Sequence, residues 1–360
     1  MACGEPSQTT KDTTSQLETL GNPFLEKPEY ARNVWDMKVF DGQVYFGHGD
    51  AVANSGPIKL FRFDTTSKTF ISDFTVDDES INSFDVVGNQ LLIAGYDPRE
   101  AWELGNFYRL QDGVWHKHRT IPWGVHAYQV TEFAGKLFIG ISTDHLHPSL
   151  LFSSDQGLTW VDATNNQFLD RAFNKLIVLN QQLYATGLLG AGTLKLENGM
   201  FEGANIPVQR IAPGLTADAP MLISKLEYFK DGVVYTVGKR QMYTTDPTEE
   251  RYETIAKAAF FSRDFQDTVP ISLPENSVPT DILVKDGQVL ILTHRKLEAG
   301  FENIVIQSSD ARSWKEMLRF SSGSFARSFE FLNAQFYFGL GCYFTEKACA
   351  ANGDVLRFTP

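Results

Sequence analysis

One pattern recurs seven times along this 360-residue chain: an apolar alternating run, a two-residue turn and a second apolar run. The copies are VWDMKVF-DG-QVYFG, NSFDVV-GN-QLLIAG, YQVTEF-AG-KLFIG, NKLIVL-NQ-QLYATG, SKLEYF-KD-GVVYTVG, TDILVK-DG-QVLIL and RSFEFL-NA-QFYFG. Gly42, Gly88, Gly135, Gln181, Gly232, Gly287 and Ala334 mark them, at intervals of 46, 47, 46, 51, 55 and 47. Asp-Gly and Gly-Asn turns between β-rich runs are the strongest local hairpin signal. Alternation within each run means that one face is buried.

Two further short strands usually follow each hairpin. PIKLFRF and KTFISDF do so in the first copy, and SLLFSS and LTWVDA in the third. Four strands per unit at this period describe the blade of a β-propeller. The expected fold is therefore all-β, a seven-bladed β-propeller with four-stranded antiparallel blades. A two-sheet sandwich or a β-solenoid is the competing architecture. The seventh copy ends at its third strand, DVLRF, just before Pro360. An N-terminal strand must then close the ring, and the segment from Pro23 to Tyr30 is the expected source. Residues 1–22 read as a flexible polar tether and 23–360 as a single propeller.

Composition limits the partners. Asp plus Glu outnumber Lys plus Arg by 44 to 32, giving a net charge of −12. Such a chain is no nucleic-acid binder, because phosphate binding needs a basic field. It holds no apolar run of the roughly 18 residues that a membrane helix needs. The expected oligomeric state is a monomer.

The three cysteines are Cys3, Cys342 and Cys349. The last two flank six residues in GCYFTEKACA, a spacing that suits a disulfide across a loop; two unrelated buried thiols are the alternative. Cys3 stands in MACGEPSQTTKDTTSQ, ahead of a Ser/Thr-rich stretch. Ala-Cys-Gly with a polar tether resembles the mature start of a bacterial lipoprotein, although only Met1 and Ala2 precede the cysteine here. That resemblance implies lipidation of Cys3, a membrane contact through the lipid alone, and an extracytoplasmic location at the periplasm or cell surface. An oxidising compartment suits the cysteine pattern too. The alternative is a cytosolic protein with three ordinary thiols.

The third unit contains SSDQGLTW, Ser153 to Trp160, with Ser153, Asp155, Gly157, Thr159 and Trp160 in Asp-box spacing. SSDARSW, from Ser308 to Trp314, is a shortened copy, and FSRDFQDTV from Phe261 is a third, more degraded one. These resemble the Asp boxes of sialidase-type (BNR-repeat) propellers. In that family the box joins the third and fourth strands of a blade, away from the ligand face, so it implies fold and not chemistry. The family's early Arg-Ile-Pro motif is not matched. The nearest stretch, HRTIPWG, has the wrong spacing and precedes the third unit.

Blade topology sorts the candidate site residues. The tight hairpin turns mark one side of the disc, and the longer loops gather on the other, where function concentrates. His48, His126, His145, His147 and His294, five of the seven histidines, fall in those loops or at their edges. The candidate ligand-binding residues are His48, Asp50, Asn54, Asp97, Arg99 and Trp102, together with Trp123, Arg240, His294, Arg295, Arg327 and Tyr343. The two tryptophans could stack on sugar rings or fill gaps between blades. Asp144-His145-Leu146-His147 sets two imidazoles at metal-ligand spacing, but no third ligand is obvious; no cofactor is expected, and a divalent metal is a subsidiary reading. GHGD, from Gly47 to Asp50, is not a phosphate loop, since no helix follows it. No nucleophile elbow, HExxH or dinucleotide fingerprint is present.

Three functions remain in view. The leading one is a propeller that binds a ligand, most readily a polysaccharide or other glycan, at the loop-rich channel mouth. A second is a polysaccharide lyase that cleaves a uronate-containing glycan by β-elimination. There Arg171 or Arg240, with Asn54, would neutralise the carboxylate, His126 would take the α-proton, and His145, His147 or a tyrosine would donate one. This looks like the arrangement of propeller ulvan lyases in its roles and in the His126-to-His145/His147 offset. A third is a non-catalytic scaffold lipoprotein with a protein partner.

Overall fold

A computed structural model of the chain describes residues 12–143, 147–168, 172–216, 220–242, 252–345 and 349–360. Cys3, His145 and Arg171 lie outside them. The strands form seven antiparallel four-stranded blades in a ring, a seven-bladed β-propeller. The innermost strands, which line the channel, are Asp36–Phe40, Phe84–Val87, His126–Phe133, Lys175–Leu179, Met221–Phe229, Val278–Lys285 and Phe325–Leu332. They belong to blades 1 to 7 in that order.

Each expected hairpin turn separates the first two strands of its blade. At Asp41-Gly42, Ala134-Gly135, Asn180-Gln181, Asp286-Gly287 and Asn333-Ala334 both central residues have positive φ. That geometry matches the right-handed twist of the flanking strands. It explains why Gly and Asn recur at these points, and it holds even where Ala or Gln takes the place of Gly.

The core lies between blades rather than within them. Among the described residues seven apolar clusters form, one at each blade-to-blade interface. Between blades 6 and 7, for example, Leu290 and Leu292 pack on Phe329, Phe336 and Phe338. A second set of contacts ties the inner strands together. The side chains of Asp36, Asp85, Gln129 and Asp281 each accept the backbone N–H of the next blade's inner strand, at Phe84, Val130, Leu176 and Phe329, over 2.8–3.0 Å. Hydrogen-bonding residues at this depth fix the blade spacing that apolar packing alone leaves adjustable.

The strand that closes the ring is Leu17–Gly21 and not the segment from Pro23 to Tyr30. It pairs with Val355–Phe358, matching Leu17 to Phe358 and Gly21 to Val355. Residues 17–21, placed by the sequence reading in the tether, are thus the outer strand of blade 7. The following segment instead packs Phe24 into the interface between blades 7 and 1.

The Ser153–Trp160 turn joins the third and fourth strands of blade 3. Ser153 Oγ accepts the N–H of Gly157 at 2.7 Å, and Asp155 accepts the N–H and hydroxyl of Thr159 at 2.9 and 2.6 Å. The two Thr159 bonds, with the Ser153 hydroxyl donating to Asp155 at 2.7 Å, hold the Asp155 carboxyl at about 2, below its usual range. In the Ser308 copy, Asp310 accepts the N–H groups of Arg312 and Ser313.

Candidate functional site

The loop side of the disc opens into a cavity of about 590 Å³ at the channel mouth. A short ribbon outside the regular blades builds one wall. Asp78–Ser80 pairs with Tyr96–Pro98, and Tyr96 pairs in turn with His126 on the inner edge of blade 3. The Tyr96 ring stacks on the His126 imidazole with centroids 4.2 Å apart and planes 7° from parallel. His126 Nδ1 lies 3.0 Å from Ser142 Oγ, and Tyr128 donates its hydroxyl to the same oxygen at 3.2 Å. On the other side of the ring, His126 Nε2 is 3.5 Å from Asp97 Oδ2. Asp97 has a φ of 62°, a left-handed conformation that aspartate tolerates better than most residues. Burial raises the phenol pKa values of Tyr96 and Tyr128, while the charge of Arg240 acts the other way.

Aromatic residues from blades 7 and 1 form the facing wall. The Arg327 guanidinium lies 4.3 Å from the Trp35 ring centroid, pairs with Glu253 at 2.7 Å and donates to the Cys342 carbonyl at 2.8 Å. Glu253 also accepts the N–H of Phe344 at 3.0 Å. Tyr30 packs edge-on against Trp35 and Phe344. The Cys342–Cys349 disulfide, with Cα atoms 6.0 Å apart, anchors the loop that begins with Tyr343 and Phe344.

Ser83, Lys175 and Lys225 form the floor. Beneath it the turn side holds a second cavity of about 480 Å³, lined by Asp36, Lys38, Asp85, Glu227, Asp281 and Glu330, among others. Lys225 pairs with Asp36 at 2.5 Å and Asp281 at 3.5 Å, and Lys38 with Glu227 at 3.3 Å. Burial pushes the Asp85 and Glu330 carboxyls up to about 7, against the pull of Lys175 and Lys38.

Of the residues singled out from the sequence, Asp50, Asp97, His126, Arg240, Arg327 and Tyr343 line the mouth together. The others described here stand outside its lining. His48 is fully buried, packs on Phe24 at 4.3 Å and bonds the Lys59 carbonyl at 3.0 Å; burial lowers it to about 4. His294 is buried behind the wall, stacked on Phe325 at 4.1 Å and bonded to the Tyr343 hydroxyl at 3.0 Å. Asn54 is exposed. Arg99 donates to the Gly56 carbonyl and pairs with Glu79, and Arg295 pairs with Glu302. Trp102 is 45% exposed, with its indole N–H on the Pro98 carbonyl. Trp123 stacks on His147 with centroids 4.4 Å apart. Among the described residues no group of three or more His, Cys, Asp or Glu is placed to hold a metal ion; Asp144 and His145 lie outside them. Sequence reasoning missed Tyr96, Tyr128, Ser142, Trp35, Glu253 and Lys175. Tyr128 alone carried a local signal, two residues beyond His126 on one strand.

The state of His294 predicts a pH effect. Burial and the Arg327 charge lower its pKa to about 3. Its contribution to stability is complete above the unfolded value near 6.5 and is lost as pH falls toward 3. Between pH 7 and pH 5 the wild type should therefore lose about 2 kcal/mol relative to a His294→Gln variant. Paired urea titrations at the two pH values measure this, and a pH-independent difference would contradict it.

No family model matches the chain, and no curated protein does. Among solved structures it is similar to the extracellular domain of a hybrid two-component system from B. thetaiotaomicron. Identity is 14% and the TM-score 0.58, over 95% of this chain and 39% of that one. It is also similar to a chain of a mitotic checkpoint complex, at 8% identity and a TM-score of 0.57, over 100% of this chain and 95% of that one. A polysaccharide lyase family 25 ulvan lyase, solved with a bound glucuronate–rhamnose sulfate glycan, aligns at 12% identity and a TM-score of 0.49, over 94% of this chain and 93% of that one. The first two likenesses show the fold alone. The chain spans about 39% of the length of the two-component protein it matches.

Proposed function

We propose that the protein binds a glycan in the mouth cavity and works outside the cytoplasm. The observation that carries this reading is the pairing of two kinds of wall in one cavity of about 590 Å³. A sugar ring is amphipathic, with C–H faces that favour aromatic surfaces and hydroxyls that need hydrogen-bond partners. Tyr30, Trp35, Tyr343 and Phe344 supply the first, and Asp97, His126, Tyr128 and Arg240 the second. The volume falls in the range of small-ligand sites. The Cys342–Cys349 disulfide supports the location, because such bonds persist in oxidising compartments.

A second reading, β-elimination on a uronate-containing glycan, is favoured by one observation: Ser142 bridges His126 and Tyr128. In that reaction a base removes the proton α to the carboxylate. The C–O bond at the β-carbon breaks as the C=C bond forms, and an acid protonates the leaving oxygen. His126 would serve as base, Tyr128 as acid, and Arg240 would stabilise the carboxylate as charge builds on it.

A panel of neutral, uronate and sulfated polysaccharides tests both readings. We expect calorimetric binding of at least one glycan, weakened about tenfold by Arg240→Ala. If unsaturated uronate ends also absorb, His126→Ala should lower turnover about 100-fold or more and leave binding within a few fold. Absence of binding across the panel would refute the glycan assignment. Turnover unaffected by His126→Ala would refute its role as base.

A further inference from the structure

Of the described residues, Ser83, Lys175 and Lys225 alone line both cavities, so they form the waist of the channel. The two lysines are not equivalent. Lys225 is matched from below by Asp36 and Asp281, and its ammonium also donates to the Trp35 carbonyl at 3.2 Å. The Lys175 side-chain amine has no hydrogen bond and no ion pair among the described residues, although it is enclosed in the channel. Burial holds its pKa below the usual lysine value; Asp85 acts against that lowering, and the like charge of Lys225 adds to it. An enclosed charge held by neither a hydrogen bond nor an ion pair is costly.

The surrounding charges are arranged in layers. Asp36, Asp85, Glu227 and Asp281 line the lower cavity and not the upper one. Each is already engaged: Asp85 by the Val130 N–H, Asp36 and Asp281 by Lys225, and Glu227 by Lys38. The carboxylates of the upper cavity are engaged as well. Asp50 accepts the Val52 N–H, Asp97 faces His126, and Glu253 pairs with Arg327. The two lysines, with Ser83 on the Tyr128 carbonyl and Ser224 on Thr236, thus line the mouth cavity, whereas the carboxylates of the lower layer do not.

We infer that the waist is an oxyanion seat, in which Lys175, flanked by Lys225, binds a carboxylate or sulfate group presented from the mouth. Two sources supply that chemistry. One is a uronate or sulfate ester on a glycan held in the mouth, which rests on the function proposed above. The other is a free inorganic oxyanion, which does not.

The test uses the full chain with sodium sulfate, sodium galacturonate and galactose as probes, at constant ionic strength. Sulfate should give a saturable rise in the wild-type melting temperature. Lys175→Met should weaken its binding about tenfold or more, whereas Lys175→Arg should retain it. Galactose should bind no more tightly to the wild type than to Lys175→Met. Without sulfate, Lys175→Met should be at least as stable as the wild type, because it removes an enclosed charge that no hydrogen bond or ion pair holds and that the like charge of Lys225 opposes. Equal sulfate binding by wild type and Lys175→Met would overturn the seat. So would a marked loss of stability in sulfate-free Lys175→Met, which would make Lys175 the structural counter-ion of Asp85. Binding of galacturonate as well as sulfate would support the glycan as source, and binding of sulfate alone would support a free anion. Binding of neither would overturn the proposal. Because sulfate is read directly, a glycan panel that fails while sulfate still binds would sink the glycan reading and leave the seat intact.

Discussion

Glu253→Ala is expected to lower stability by about 3–5 kcal/mol and to disorganise the aromatic wall of the mouth. Glu253 is 5% exposed, and both of its oxygens are in use. One pairs with Arg327 at 2.7 Å, and the other accepts the Phe344 N–H at 3.0 Å. Truncation would leave the Arg327 charge with no counter-ion in a nearly closed position and would strip Phe344 of its acceptor. Arg327 would then be free to leave the face of Trp35. The control is Glu253→Ala combined with Arg327→Met. Removing both charges should recover most of the loss, because a buried pair replaced by apolar groups is often tolerated. Urea denaturation of the three variants measures the coupling. A cost below about 1 kcal/mol for Glu253→Ala would mean that the pair behaves as an exposed one.

The second large effect is expected at ring closure. Deleting the chain through Gly21 removes the outer strand of blade 7 and leaves Val355–Phe358 as an open edge. Leu17 packs on the cluster between blades 6 and 7, and Leu20 on the one between blades 7 and 1. Arg357 loses its partner Glu18, and the Arg319 carbonyl loses the Thr13 N–H. Two leucines and a strand ladder amount to about 5 kcal/mol or more. The deleted protein should melt well below the full chain and should aggregate through the bare edge. A synthetic peptide spanning residues 12–22 should restore part of the loss when added. A deletion that melts with the wild type would show that this strand does not hold the ring.

The repeat was legible because a hairpin is a local object. Asp41-Gly42 or Asp286-Gly287 announces its turn within a few residues, and period-2 alternation then gives the buried face. Closure was harder to read. LETLG carries only a weak apolar signal beside a polar stretch, and its partner lies more than 330 residues away. The site was partly legible. Topology placed Asp97, His126, Arg240, Arg327 and Tyr343 on one side of the disc, and the structure brings them to one cavity. It could not show which histidines would be covered. His48 and His294 sit at loop edges like His126, yet Phe24 and Phe325 lie against them. Ser142 and Tyr128 meet His126 beside a bulge between Ala127 and Gln129, a break in register that alternation does not reveal. Lys175 read as an ordinary strand residue, since the charges around its amine come from three other blades.

The pairing of the two chain ends has a mechanical consequence. Leu17 lies opposite Phe358, so the first residue of one strand and the last of the other meet at the same end of an antiparallel ladder. A pull applied to the two termini would load one hydrogen-bonded rung at a time, as a zip is opened, instead of straining all of them at once. The disc should therefore yield at low force along this single seam, with its other blades still folded.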